Sequence, residues 1–168
     1  AATADANGSF SETVIIPDSF PSGVPLLDDD WRIVAADDDR NLLAEAELLF
    51  FVDLFDFPGL VLYSERTGGI AGFCDRLLIY ASGEWLATTC GRPAAITGSG
   101  QLSDDQQAEL EGWIAGLVPA QANQSDGAAA DDLAYRYTLV YVNGSRPPGP
   151  NELYSMRLLT DTLLSEGQ

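Results

Sequence analysis

Histidine and lysine are both absent from the 168 residues, cysteine occurs twice and methionine once. Without histidine there is no Ser-His-Asp triad, no Cys-His pair, no HExxH zinc site and no imidazole base near neutral pH. Without lysine there is no Walker A loop, no Schiff base and no kinase-type phosphate lysine. Positive charge is also scarce: 8 basic residues, all arginine, stand against 26 acidic ones, a net charge of −18. Such a chain repels polyphosphate, so nucleic acid is not an expected partner, and it has no attraction for an anionic membrane surface. Long apolar runs are missing as well. The longest, Leu48-Leu49-Phe50-Phe51-Val52, stops at Asp53, far short of the roughly 20 residues a membrane span needs.

What remains for catalysis is carboxylates, tyrosines, serines and two cysteines, and no spacing orders them into a site. The expectation is a non-enzymatic protein with no cofactor and no metal. With 46% hydrophobic residues, the chain is well able to bury a core.

The two cysteines bear on compartment. Arg76 to Tyr80 and Glu84 to Thr89 read as the two strands of a hairpin joined by Ala81-Ser82-Gly83, a three-residue loop ending in a glycine suited to left-handed backbone. If Tyr80 faces Glu84, then Cys74 and Cys90 lie opposite one another on the same face, within disulfide reach; the alternative is two buried thiols. A disulfide persists only outside the reducing cytosol. The chain begins Ala1-Ala2-Thr3-Ala4 without methionine, as a mature protein does after removal of a signal peptide. An extracellular or cell-surface location is expected. Asn-x-Ser sequons at Asn7, Asn123 and Asn143 permit glycosylation.

Charge divides the chain, with 13 acidic and 2 basic residues in 1–56 and 13 and 6 in the rest. Residues 1–58 read as an acidic segment with two β-prone stretches, Glu12-Thr13-Val14-Ile15-Ile16 and Trp31 to Ala35, and a helix over Asn41 to Phe51 stopped by Pro58. From residue 59 to 168 the reading is α+β: a strand from Leu60 to Glu65, a glycine-rich connection and the hairpin. A helix follows, opened by the capping box of Ser103 and Gln106 and presenting Leu110, Trp113, Ile114 and Leu117 on one face. Gln121 to Gly127 reads as a polar linker, Leu133 to Val142 as a strand, and Pro150 as the start of a last helix through Met156, Leu159 and Leu163. This order implies an antiparallel sheet with helices packed on one face.

Several candidate sites compete with plainer readings. The triplets Asp28-Asp29-Asp30 and Asp37-Asp38-Asp39 lack the alternating spacing of a calcium loop and read as solvated acids. Glu109 and Glu111, or Asp104 and Asp105, lie on an exposed helix, whereas glycosidase-type chemistry needs acids facing each other across a cleft. Tyr135, Tyr137 and Tyr141 with Trp85 form either an aromatic binding face or the sheet face beneath the helices. Gly68-Gly69-Ile70-Ala71-Gly72 lacks the GxGxxG pattern and reads as a strained turn between strands.

The strand from Leu60 followed by Arg66-Thr67-Gly68-Gly69-Ile70-Ala71-Gly72 resembles the emfourin-like family of small inhibitors of thermolysin-type metalloproteases, over roughly residues 59–165 in element order. The chain also resembles a domain at the C-terminal end of bacterial secreted and lipid-anchored proteins, with its Gly68-Gly69-x-Ala71-Gly72-Phe73-Cys74 start and a second cysteine after the hairpin. The first resemblance implies a protease partner, docked through Arg66, Thr67, Gly68, Gly69 and Ile70 with the neighbouring hairpin. The rival expectation is a subunit of an extracellular filament, surface layer or membrane-anchored complex, in which Glu12, Thr13, Val14, Ile15 and Ile16 extend the sheet of a neighbouring subunit.

Overall fold

The structure is a computed structural model that describes residues 29–36, 42–50, 54, 57–90, 95–125, 127 and 132–166, the first two ranges by backbone alone. Asn7 and Glu12 to Ile16 lie outside the described residues.

In the N-terminal part, β1 (Asp29–Ala36) pairs antiparallel with β2 (Leu42–Phe50), Trp31 opposite Leu48 and Ile33 opposite Ala46. The strand expected around Trp31 is present, but the helix expected over Asn41 to Phe51 is a strand. Leucine, alanine and glutamate favour a helix by only a few tenths of a kcal/mol per residue. A partner strand offering a complete hydrogen-bond ladder outweighs that preference.

The remaining strands form one antiparallel sheet: β3 (Leu60–Gly68), β4 (Phe73–Tyr80), β5 (Glu84–Thr89), β6 (Ile96–Gln101), β7 (Ala120–Ser125) and β8 (Leu133–Leu139), in the spatial order β6-β5-β4-β3-β8-β7. The hairpin register is the expected one, with Asp75 opposite Thr89 and Ile79 opposite Trp85. Gly83 ends its turn at φ 84°, a conformation in which any other residue would be strained. Cys74 and Cys90 are disulfide-bonded, their Cα atoms 5.2 Å apart.

Two segments differ from expectation. The polar stretch from Gln121 is an edge strand rather than a linker, paired with β8 from Ala120 opposite Leu139 to Ser125 opposite Ala134. Its composition carries little strand preference, and the ladder offered by β8 supplies what its side chains do not. The strand expected to reach Val142 ends at Leu139: the successive N–H groups of Val140 and Tyr141 both donate to β3, to the carbonyls of Val61 and Leu60, and the Val142 N–H turns back to the Val140 carbonyl, which breaks the alternation. Tyr141 consequently leaves the row and is exposed, while Tyr135, Tyr137 and Trp85 are buried. They belong to the core and form no aromatic binding face.

Both helices share one face of the sheet. Helix α1 (Asp104–Gly116) opens on the expected capping box, Ser103 accepting from the Gln106 N–H while the Gln106 side chain accepts from that of Ser103. Its Leu110 and Trp113, with Leu117 at its end, meet Leu77, Ile79, Trp85, Tyr137 and Leu139 of the sheet. Helix α2 (Pro150–Glu166) adds Met156, Leu159, Leu163 and Leu164 to the same cluster. Ser64 of β3 and Thr160 of α2, both fully buried, share a 3.1 Å hydrogen bond, so neither hydroxyl is left unpaired beneath the helix. Leu60, Tyr63, Leu78 and Val140 form a smaller cluster with Leu54 and Phe57. Leu77 and Leu78 belong to different clusters because successive strand residues point to opposite faces.

The disulfide closes a loop of 16 residues across two adjacent strands, which the chain-entropy treatment values at about 3 kcal/mol. Replacing both cysteines, Cys74→Ser with Cys90→Ser, is expected to lower unfolding free energy in urea by about that amount while leaving the far-ultraviolet dichroism of the sheet unchanged.

Candidate functional site

The turn between β3 and β4 carries an exposed apolar tip above a buried charge network. Gly68, Gly69 and Gly72 have φ of 92°, 71° and 65°, and the Gly72 N–H closes the turn on the Gly69 carbonyl at 2.9 Å. A Cβ at Gly68 would lie 2.5 Å from the backbone oxygen of Asp132, so this glycine is required both by conformation and by close approach. Ile70 at the tip is 94% exposed. Phe73, at the start of β4, is 37% exposed. Phe73 and Leu133 both come within 4 Å of the space where a Gly69 side chain would be, so the turn rests on an apolar step.

Beneath the turn lies a buried charge network. Arg66 is 9% exposed; its Nη2 and Nε donate to Asp75 Oδ2 at 2.6 and 3.2 Å, and its Nη1 to Asp161 Oδ1 of α2 at 3.3 Å. Its guanidinium also lies over the Phe73 ring, 4.6 Å from the centroid. Burial alone would make this cation easier to deprotonate, but hydrogen bonds and charge attraction from Asp75, then from Asp161, reverse the effect and hold the pKa above its ordinary value. Tyr135 donates to Asp161 at 2.9 Å. Burial, and then that hydrogen bond, push the Tyr135 phenol up. Arg157 stacks over the same ring at 5.0 Å.

The five residues expected to touch a partner therefore divide by role. Ile70 is presented outward, Gly68 and Gly69 set the backbone, and Thr67 is half-buried in the strand, opposite Cys74. The Arg66 side chain points inward and supports the turn from below. Phe73 extends the exposed tip and Leu133, half-buried against the core, supports it from beneath; sequence reasoning missed both. Phe73 is separated from Ile70 only by the turn, so its place beside the tip was legible once the strand ends were known. Leu133 arrives from a strand distant in sequence.

Elsewhere, Asn123 and Asn143 are exposed. Asp104, Asp105, Glu109 and Glu111 are exposed on α1 and face no cleft. Asp29 and Asp30 fall within β1, while Asp28 and Asp37 to Asp39 lie outside the described residues. Among the described residues no three Cys, Asp or Glu side chains cluster as metal ligands do, and no helix is long and apolar enough to cross a membrane. Comparison with family models, with curated proteins and with solved structures finds no match to this chain.

Two measurements check this geometry. Gly68→Ala is expected to cost about 2 kcal/mol or more in urea unfolding, since it adds left-handed strain to a backbone clash. The Tyr135 phenol is held above its ordinary value of about 10, so its contribution is complete below that value and is lost as pH rises through the folded pKa. Stability should therefore decline above pH 10, and Tyr135→Phe should flatten part of that decline.

Proposed function

We propose that this chain is a non-enzymatic, extracytoplasmic protein that acts by protein–protein contact, most specifically as an inhibitor of a thermolysin-type metalloprotease. The observation that carries the reading is Ile70, 94% exposed at the tip of a turn fixed by left-handed glycines. An exposed isoleucine on a flexible loop would lose much of its binding energy to ordering. Here the disulfide between Cys74 and Cys90 and the Arg66 network hold the base of the turn, so little conformational freedom remains to be lost on binding. Apolar anchors that enter a partner's pocket dominate the energy of such contacts.

The backbone also suits an inhibitor better than a substrate. A protease cleft accepts extended chain, and positive φ at Gly68, Gly69 and Gly72 keeps this segment from lying through the cleft as a strand. Phe73, 37% exposed, widens the apolar surface beside the tip. The class of protease comes from the resemblance of Arg66 to Gly72 to the emfourin-like pattern, and the extracytoplasmic setting from the disulfide.

Titration of thermolysin with the full chain is expected to abolish peptide hydrolysis near one equivalent. Ile70→Asp should raise the inhibition constant by about 100-fold, the loss typical of a central anchor, with urea unfolding unchanged because the side chain is exposed. Uninhibited thermolysin at a large excess of the wild-type chain, or equal inhibition by Ile70→Asp, overturns the reading.

A further inference from the structure

Successive residues of a strand face opposite sides of the sheet. Asp75 turns to the helix side, where Arg66 bonds it and, with its other arm, Asp161 of α2. Cys74 and its partner Cys90 therefore lie on the face that the helices leave open. Cys74 is exposed and Cys90 half-buried, so a thiolate from solution can reach the bond between them without the chain unfolding.

The two limbs of the β3–β4 turn are held unequally. On the β3 limb, Thr67 and Gly68 pair with Ala134 and Leu133 of β8, and the Gly69 N–H donates to the Asp132 carbonyl at 3.4 Å. None of these bonds involves sulfur. On the β4 limb, Phe73 and Cys74 project past the end of β5, whose ladder with β4 starts at Asp75 opposite Thr89. Their main-chain and covalent ties are the pairings with Gly68 and Thr67, a 2.9 Å bond from the Cys90 N–H to the Cys74 carbonyl, and the disulfide. Between the limbs stand Gly69 and Gly72, and glycine gains more conformational freedom on release than any other residue. Inward of Cys74, Asp75 stays tied to Arg66 whatever the state of the sulfurs.

We infer that the Cys74–Cys90 disulfide is a redox switch on the β3–β4 turn, closed when oxidised and opened by a dithiol reductant. One thiolate of the dithiol attacks the more exposed sulfur, Cys74 Sγ, and Cys90 leaves as a thiolate that takes up a proton. The second thiolate of the reductant attacks the reductant's own sulfur in this mixed disulfide, which closes the reductant's disulfide and releases Cys74 as a thiolate, protonated in turn. Two electrons and two protons thus pass from the dithiol to the two cysteines. Exposed disulfides are the more reducible ones, and regulatory disulfides are drawn from them. In the reduced chain Gly69 to Cys74 fray, and the fraying stops at Asp75. Ile70 and Phe73 then lose their fixed place, and a partner must order them at a cost in affinity. That last consequence rests on the reading of the turn as the inhibitory contact; the loosening itself does not.

The test compares the full chain before and after reduction by dithiothreitol without denaturant, the reductant being removed under argon so that it never meets the zinc of thermolysin. Complete reduction of the folded chain is expected. Backbone amide order parameters should be about 0.85 through the turn in the oxidised chain and below about 0.6 from Gly69 to Cys74 in the reduced one, with Asp75 to Tyr80 unchanged. The inhibition constant for thermolysin should rise about tenfold or more on reduction and return on reoxidation. Cys74→Ser with Cys90→Ser should reproduce the reduced chain, which separates loss of the bond from any other effect of dithiothreitol. A disulfide that yields only in urea, or a turn equally ordered in both states, overturns the switch, as does equal inhibition by the two states. No inhibition by the oxidised chain overturns the inhibitor reading alone, and the order parameters then decide the switch.

Discussion

The register of β4 against β5 is the constraint on which the rest of this molecule depends. With Ile79 opposite Trp85 and Asp75 opposite Thr89, Trp85 and Ala87 enter the helix-side core together with Leu77 and Ile79. Arg76 is left on the other face, beside Glu65. A slip of one residue would exchange the two sets completely. Trp85 and Ala87 would then leave the helix-side core, and the cysteines would no longer oppose each other. Gly83 holds this register at the turn and the disulfide holds it at the open end.

Arg66 carries the next level of organisation. Burying a guanidinium is costly, and the cost is offset only where its donors are matched by well-placed acceptors. Asp75 on the neighbouring strand and Asp161 on α2 provide them. The same cation that ties sheet to helix lies under Phe73 and so reaches the exposed turn. In a chain with eight basic residues and no lysine, a buried arginine serves architecture. The turn presents an apolar residue, Ile70, to solvent.

The two faces of the sheet have separate chemistries for the same structural reason. One is covered by two helices and is mostly apolar, with Ser64 and Thr160 paired to each other and Arg66 to Asp75 and Asp161. Over β7, β8 and β3 the other face keeps polar side chains, Asn123 standing opposite Arg136 and Gln121 opposite Thr138.

Local signals alone determined several elements. The capping box at Ser103, the turn ending in Gly83, the pairing of Cys74 with Cys90 and the amphipathic run from Pro150 each rest on residues close in sequence or on a register that a short turn imposes. Tertiary structure decided the rest. β7, whose sequence is Ala120-Gln121-Ala122-Asn123-Gln124-Ser125, and β2, rich in leucine, alanine and glutamate, are strands because a neighbour offers a ladder and not because their side chains prefer one. The irregular backbone bonding of Val140 to Val142 parted Tyr141 from the other tyrosines, and nothing in their odd-numbered spacing announced it. The inward turn of Arg66 depended on Asp161, 95 residues away. A sequence displays local preference and periodicity directly, whereas the partners of a strand or a buried charge exist only once distant parts of the chain have come together.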